Sequence, residues 1–430
     1  MFTRTRRNKM IKKTCFTALI TLFIITLFPF PAMADSVRDE LKALRARIDQ
    51  LEKKLVQQDT KIEKQETVIA EHDSSFKELE GIKEVFSGLE ISIGATSVVQ
   101  GTIGNNDNIG HDDTDATYSV DIEITSQIGK NGTALLYLEG GEGNGLYDEL
   151  SGFNGYNADA TGDDADLQIS EIWYEHRFKD GMAVATFGKM DATRWFDTNL
   201  AANDECSQFL ADVFVNNIAV EFPDYAYGAR MTLSPNEMFD LSFGALEADS
   251  DFEDIFDENF LIAELGIKPR IKDKQGNYRI YAWHNSGDKM DLDNPTEMRD
   301  EGYGLGMSMD QEITNAITSF ARIGWQNDDI YAVEYAWSLG FQVSGCLWGR
   351  ADDVFGIAYA RSETGENYRN SLRAAGLRTA AAEETFEAYY NYRVNGNVSI
   401  SPDIQLAKDM AGMENTDSVW ILGVRAQLDF

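Results

Sequence analysis

The chain has 430 residues, 38 of them basic and 72 acidic, for a formal net charge of −34 at pH 7. So negative a surface repels phosphate backbones, which excludes nucleic acid as a partner, and it attracts cations instead. Intrinsic disorder is excluded as well, because hydrophobic residues make up 43% and aromatic residues 11% of the sequence.

Residues 1–13 carry Arg4, Arg6, Arg7, Lys9, Lys12 and Lys13 with no acid, and an apolar run from about Cys15 to Phe30 follows. Pro31-Ala-Met-Ala34 then precedes Asp35. A basic head, a short apolar core and small residues at A-x-A spacing predict a secretory signal peptide over 1–34, cut after Ala34. The run is too short to span a bilayer comfortably, and Pro29 and Pro31 interrupt it. Beyond residue 34 no apolar run reaches helical spanning length, so any membrane insertion must be as a barrel. Cys206 and Cys346 are the cysteines beyond this leader; an oxidising periplasm permits a bridge between them, and their spacing does not demand one.

Residues 35–87 read as an α-helical coiled coil. Leu41, Ile48, Leu55, Ile62, Ile69 and Phe76 form one seam position; Leu44, Leu51, Gln58, Gln65, His72 and Leu79 form the other. No Gly or Pro occurs from Asp35 to Glu80. Polar residues at consecutive seam positions fix register and oligomer state, and His72 fits there better than as a metal ligand.

After Gly81 and Gly88 the apolar period switches from about 3.5 to two. Leu89, Ile91, Ile93 and Ala95 alternate with polar residues, as do Tyr118, Val120, Ile122 and Ile124. Strand candidates of about ten residues recur to Phe430, the weakest being 213–222, and an even count of about sixteen antiparallel strands follows for a closed barrel over 88–430. Proline is scarce and glycine plentiful, as a large closed sheet prefers. Tyr118, Trp173, Trp325, Tyr335, Tyr392 and Trp420 sit where interfacial girdles would want them. The closing segment is the clearest. Trp420, Leu422, Val424, Ala426, Leu428 and Phe430 share one face, while Gly423, Arg425, Gln427 and Asp429 share the other. One face suits lipid and the other a watery lumen. The fold class expected is therefore an all-β transmembrane barrel preceded by a coiled coil.

Three blocks resemble the carbohydrate-selective porin family of Gram-negative outer membranes. The first runs from Gly188-Lys-Met-Asp191 through Trp195-Phe-Asp-Thr-Asn199 to Asn203-Asp-Glu205 and Gln208-Phe-Leu210. The second is Gly345-Cys-Leu-Trp-Gly-Arg-Ala-Asp-Asp-Val-Phe-Gly356. The third joins Glu384-Thr-Phe-Glu-Ala-Tyr-Tyr390, Ser401-Pro-Asp-Ile-Gln405 and Val419 to Phe430. The resemblance implies a sixteen-stranded barrel passing sugars and other small hydrophilic solutes by diffusion. The coiled coil lies outside it and is similar to a subgroup likened to siderophore-uptake porins. General porins are commonly trimeric, so a homotrimer joined through the coil is expected.

Alternation selects the lumen face. Glu387, Asn391 and Arg393 face inward if Phe386, Ala388, Tyr390 and Tyr392 face lipid; Asp403 and Gln405 follow on the next strand and Arg425 on the last. Carboxylates facing a guanidinium across a lumen make a transverse field in which sugar hydroxyls both donate and accept. The same charges could instead pair within the wall. The segment 191–208 is long and lacks clean alternation, which predicts a constriction loop carrying Arg194, Asp197, Asn199, Asn203 and Asp204; a plain outer loop is the other reading. Acidic runs at 107–115, 159–166, 247–258 and 288–301 read as solvated loop tips that could bind Ca²⁺ or bridge through cations to lipopolysaccharide.

No nucleophile–base unit is recognisable among the few histidines, so no catalytic residue and no enzyme activity are expected. No metal ligand or other cofactor is assigned. The reading is an outer-membrane porin with cation preference, its coiled coil in the periplasm. A ferric-chelate uptake porin and a structural tether are the alternatives.

Overall fold

A computed structural model describes residues 88–430 apart from 105–110, 148, 161, 163–165, 254–256 and 415–417, together with Lys42, Arg47, Lys53 and Lys54. The chain divides into two units, 1–87 and 88–430. The predicted leader lies outside the described residues, and so does the heptad pattern, save those four residues, which are helical and exposed.

Sixteen antiparallel strands form the closed wall of the second unit, with short strand pairs in its connections besides. They are β1 (Leu89–Ile103), β2 (Thr114–Ile128), β3 (Gly132–Glu142), β4 (Gln168–Phe178), β5 (Ala183–Met190), β6 (Ala226–Asn236), β7 (Phe239–Glu247) and β8 (Asn259–Ile267). After them come β9 (Lys274–Asn285), β10 (Gly302–Glu312), β11 (Ile317–Gln326), β12 (Val333–Ser344), β13 (Val354–Thr364), β14 (Ala382–Arg393), β15 (Val398–Lys408) and β16 (Val419–Asp429). Each pairs with its neighbours in sequence, and β1 also pairs with β16, from Gly94 opposite Asp429 to Ile103 opposite Trp420. The sheet therefore has no free edge, so its strands satisfy one another's backbone groups where the wall meets lipid. The weakest strand candidate, 213–222, is not a strand: it begins in a helical turn, α1 (Asp212–Val215), and runs on inside the lumen.

Period-two alternation becomes an inside and an outside. Along β16, Trp420, Leu422, Val424 and Leu428 are exposed on the outer face, while Ile421, Gly423, Arg425 and Gln427 are buried within. An isolated barrel leaves its lipid-facing residues exposed, and this apolar girth is what hydrocarbon covers. Short turns join the strands at one end, as at 129–131, 237–238 and 394–397; long loops join them at the other, as at 143–167, 191–225 and 365–381. In bacterial barrels the turns face the periplasm and the long loops the exterior.

The lumen is not an empty cylinder. The loop 191–225 folds into it and packs its apolar side on the wall. Phe209 meets Phe320 of β11 and Tyr389 of β14 at ring distances of 5.6 and 4.9 Å. Each fully buried ring of this kind contributes roughly 1.5–3 kcal/mol. Close approach of rings to the wall depends on glycine at two places. A Cβ on Gly356 would lie 2.1 Å from the Tyr389 ring, and one on Gly306 would lie 2.1 Å from that of Tyr281. Part of the loop 143–167 folds inward too, with Leu146, Leu150 and Tyr156 packed on Ile421 and Ala407.

Candidate functional site: a lumen narrowed by an insert

The insert is held chiefly by its backbone. Asp191 starts it by accepting from Thr193 N at 2.8 Å, which caps the first turn and leaves Arg194 facing Glu171 on the neighbouring strand β4. At the tip, Asp197 adopts a left-handed φ of 58° and is fully withdrawn from solvent. Its carboxylate lies 3.0 Å from Arg322 Nε of β11 and accepts from Tyr281 Oη at 2.9 Å and Asn217 N at 2.8 Å. Arg322 also donates to the carbonyls of Phe214 and Asp197, at 2.6 and 3.1 Å.

Further along, Glu387 of β14 accepts from the amides of Leu210 and Ala211 at 2.6 and 3.0 Å. Arg425 of β16 donates to the carbonyls of Glu205 and, at 2.9 Å, Gln208. Asn391 donates to Ser207 O at 3.1 Å. The wall thus presents a carboxylate where the insert shows N–H groups and a guanidinium where it shows C=O groups. Charge-assisted bonds of this kind are the strong ones, and they satisfy backbone groups that water no longer reaches. The second inward loop follows the same rule: Glu383 accepts from the amides of Phe153 and Asn154, and Gln100 and Gln405 both donate to Tyr156 O at 2.9 Å.

The eleven positions expected to line the pore therefore separate into groups. Glu387, Asn391, Arg425 and Asp197 are buried fasteners between wall and insert, and Gln405, also buried, fastens the second inward loop through Tyr156 O. Asn199 belongs with them, donating to Ser308 Oγ at 3.2 Å. Asp403 is buried and accepts from Gln405 at 3.1 Å. Asp204 accepts from the amides of Cys206 and Ser207, holding a turn of the insert. Arg393 pairs with Asp429 at 3.2 Å near the turn end. Arg194 and Asn203 line open space. Asp159, expected on a solvated tip, is buried and accepts from Ser119 at 2.8 Å. Cys206 lies in the insert and Cys346 in a turn, and both are free thiols.

Open space remains on the β3–β4 side, where the insert meets the wall only through side chains such as Arg194 and Tyr225. A cavity of about 780 Å³ lies there, with Tyr137, Glu139 and Glu171 on the wall and Arg194, Glu205 and Asp212 on the insert. A second cavity of about 460 Å³ at the turn end is bounded by Asp121, Glu123, Asp429 and again Tyr137. Tyr137 borders both. Its hydroxyl donates to Asp121 at 2.9 Å, and the Arg194 guanidinium stands 5.8 Å from its ring centre. Arg194 pairs with Glu171 at 2.5 Å and reaches Glu123 at 3.4 Å. Among the described residues, the larger cavity has Glu139, Glu171, Asp191, Glu205, Asp212 and Glu221 around it against Arg194 as its basic residue. On the insert, burial pushes Asp212 up to about 6 and Glu205 up to about 8.

Sequence reasoning missed Tyr137, Glu139 and Glu171. Their signal was present, since Leu136 and Leu138 face outward and leave 137 and 139 to the lumen, but nothing marked that side of the barrel as the open one. Arg322 was missed as well; a lone cation in a wall strand does not reveal that an aspartate more than a hundred positions away meets it.

A closed barrel with an apolar outside and a polar lumen narrowed by an inward loop is the form of an outer-membrane diffusion channel. The model of the carbohydrate-selective porin, OprB family, matches residues 106–430, and the chain belongs to that family. Among solved structures it is similar to OprB of Pseudomonas putida, seen in a high-pH structure, with 17% identity over 82% of this chain and 97% of that one and a TM-score of 0.69. The outer membrane channel DcaP of Acinetobacter baumannii matches over 80% of this chain and 98% of its own at 11% identity and a TM-score of 0.50. In sequence, an uncharacterized protein of Aquifex aeolicus (strain VF5) is 26% identical over 300 residues, 68% of this chain and 80% of that protein. Family and fold are those of a porin channel rather than an enzyme.

Proposed function

We propose that this porin passes small hydrophilic solutes, neutral carbohydrates foremost, by passive diffusion and favours cations over anions. The observation that carries the reading is the pair of acid-lined cavities that share Tyr137, and we read that residue as the neck between them. Among the described residues carboxylates outnumber the Arg194 guanidinium along this route, and that guanidinium is already held by Glu171 and Glu123. An anion would meet repulsion in a narrow lumen whose low-dielectric walls focus the acidic field, whereas a sugar hydroxyl finds acceptors and a cationic donor. The family supports carbohydrates as the solute class. Reversal potentials across planar bilayers under a KCl gradient test the charge preference, and swelling of proteoliposomes in a panel of neutral and anionic sugars tests the solutes. A potential favouring chloride, or equal swelling in glucose and gluconate, contradicts the reading.

The heptads of 35–87 support a homotrimer joined through a coil in the periplasm, with the barrel set among lipid and lipopolysaccharide. Detergent-solubilised mass with and without residues 35–87 tests this: loss of the trimer on deletion is expected, and an unchanged monomeric mass for the full chain removes it.

A further inference from the structure

We propose that the chain leaving β7 binds a divalent cation, Ca²⁺ in preference to Mg²⁺, through Glu247, Asp249 and Asp251. These three alternate in sequence, and each places a carboxylate oxygen within 4.8 Å of those of the other two. Like charges held that close repel one another, and a cation between them reverses the sign of the interaction. An acidic loop alone would mean little on so acidic a protein.

Glu247 separates this cluster from the other acidic loops. It is 2% exposed, and neither carboxylate oxygen has a hydrogen-bond partner. The backbone amides of Phe252 and Tyr227 face it without closing a hydrogen bond. The neighbouring cation is committed elsewhere: Lys189 donates to Ile169 O at 2.7 Å, and its ammonium stands 4.9 Å above the Phe252 ring. A buried carboxylate with two empty oxygens, aimed at two further carboxylates, is a ligand set short of its metal.

The donor chemistry selects the ion. Three carboxylates with no imidazole or thiolate suit a hard cation. They sit on a loop whose backbone turns through left-handed residues at Ser250 and Phe252, φ 59° and 64°. Ca²⁺ accepts such irregular oxygen sets and completes its shell with water, whereas Mg²⁺ demands a near-ideal octahedron. Asp249 and Asp251 are exposed, which leaves room for that water. The consequence reaches the pore: Phe252 packs edge-on against Tyr227 at 5.4 Å, and nearby Tyr225 donates to Glu139 of the large cavity at 2.6 Å. An ion here ties the outer loop to the rim of the passage.

Calorimetric titration of the chelator-stripped, detergent-folded full chain with CaCl₂ tests the site. Wild type should take up one Ca²⁺ per chain that the Asp249→Asn/Asp251→Asn variant does not, with affinity on the order of 10⁻⁴ to 10⁻³ M as in extracellular sites. That variant changes exposed side chains only, so its fold persists. In Glu247→Gln, melting in chelator should rise while the further rise on adding Ca²⁺ disappears. Equal uptake by wild type and the double-Asn variant overturns the proposal, as does no saturable uptake by wild type; equal affinity for MgCl₂ overturns the stated preference. None of these outcomes bears on solute passage.

Discussion

Asp197 of the insert and Arg322 of β11 form an ion pair of 3.0 Å with both side chains essentially removed from solvent. Each is the other's compensation for lost water. Arg322→Ala strands a buried carboxylate, and the cost should be about 3–5 kcal/mol in docking of the insert. The expected outcome is a larger, noisier single-channel conductance with a lower melting temperature. Asp197→Asn/Arg322→Met should be milder than Arg322→Ala, because it removes both charges together.

Glu387 and Arg425 grip peptide groups of the insert from neighbouring sides. Glu387→Gln keeps the size but weakens two charge-assisted bonds, each worth roughly 1.5–3 kcal/mol. Limited proteolysis should then cut within 200–212, where the wild type resists, with the barrel itself still heat-modifiable on gels. Protection equal to wild type would remove Glu387 from this role.

Acidity should act on the insert with a definite sign. Burial raises Asp212 to about 6 and Glu205 to about 8, above their ordinary carboxylate values. A group bound more tightly to its proton in the folded state stabilises that state at low pH, and the contribution is lost as pH rises through the raised value. Docking of the insert should therefore be firmest near pH 4 and weaken progressively to about pH 8. The ionising carboxylates add negative charge beside the passage over the same window, so the cation-to-anion permeability ratio should climb with pH. Reversal potentials from pH 4 to 9 check the second effect, and protease protection checks the first. In Glu205→Gln the upper part of the rise should be absent.

The neck offers a separation of size from charge. Tyr137→Ala removes a ring without altering formal charge, so larger sugars should swell proteoliposomes faster at unchanged ion selectivity. Arg194→Ala removes the cation that stands beside six carboxylates among the described residues, and the reversal potential should move further toward that of potassium.

The barrel was legible because its physics is periodic. Along β16 every second residue must suit hydrocarbon, and Trp420, Leu422, Val424 and Leu428 announce that with no knowledge of neighbours. The same rule put Glu387, Gln405 and Arg425 on the inner face. What it could not say is what those side chains meet, because the insert obeys no period. Its 213–222 stretch is apolar enough to pass for a strand, yet Val213 and Phe214 bury against the wall from within. Asp159 misled for a related reason: a run of acids reads as a wet tip, and only the docking of Asn157 and Asp159 on Thr117 and Ser119 shows that part of it turns inward.

The grip on the insert has an evolutionary corollary. Glu387 and Arg425 hold amides and carbonyls, which nearly every residue type supplies, so substitutions at 205, 208, 210 and 211 leave the latch intact provided proline stays out of 210 and 211. A chain on this scaffold can rewrite the insert's chemistry, and with it the lining of the passage, without re-engineering the cylinder that holds it.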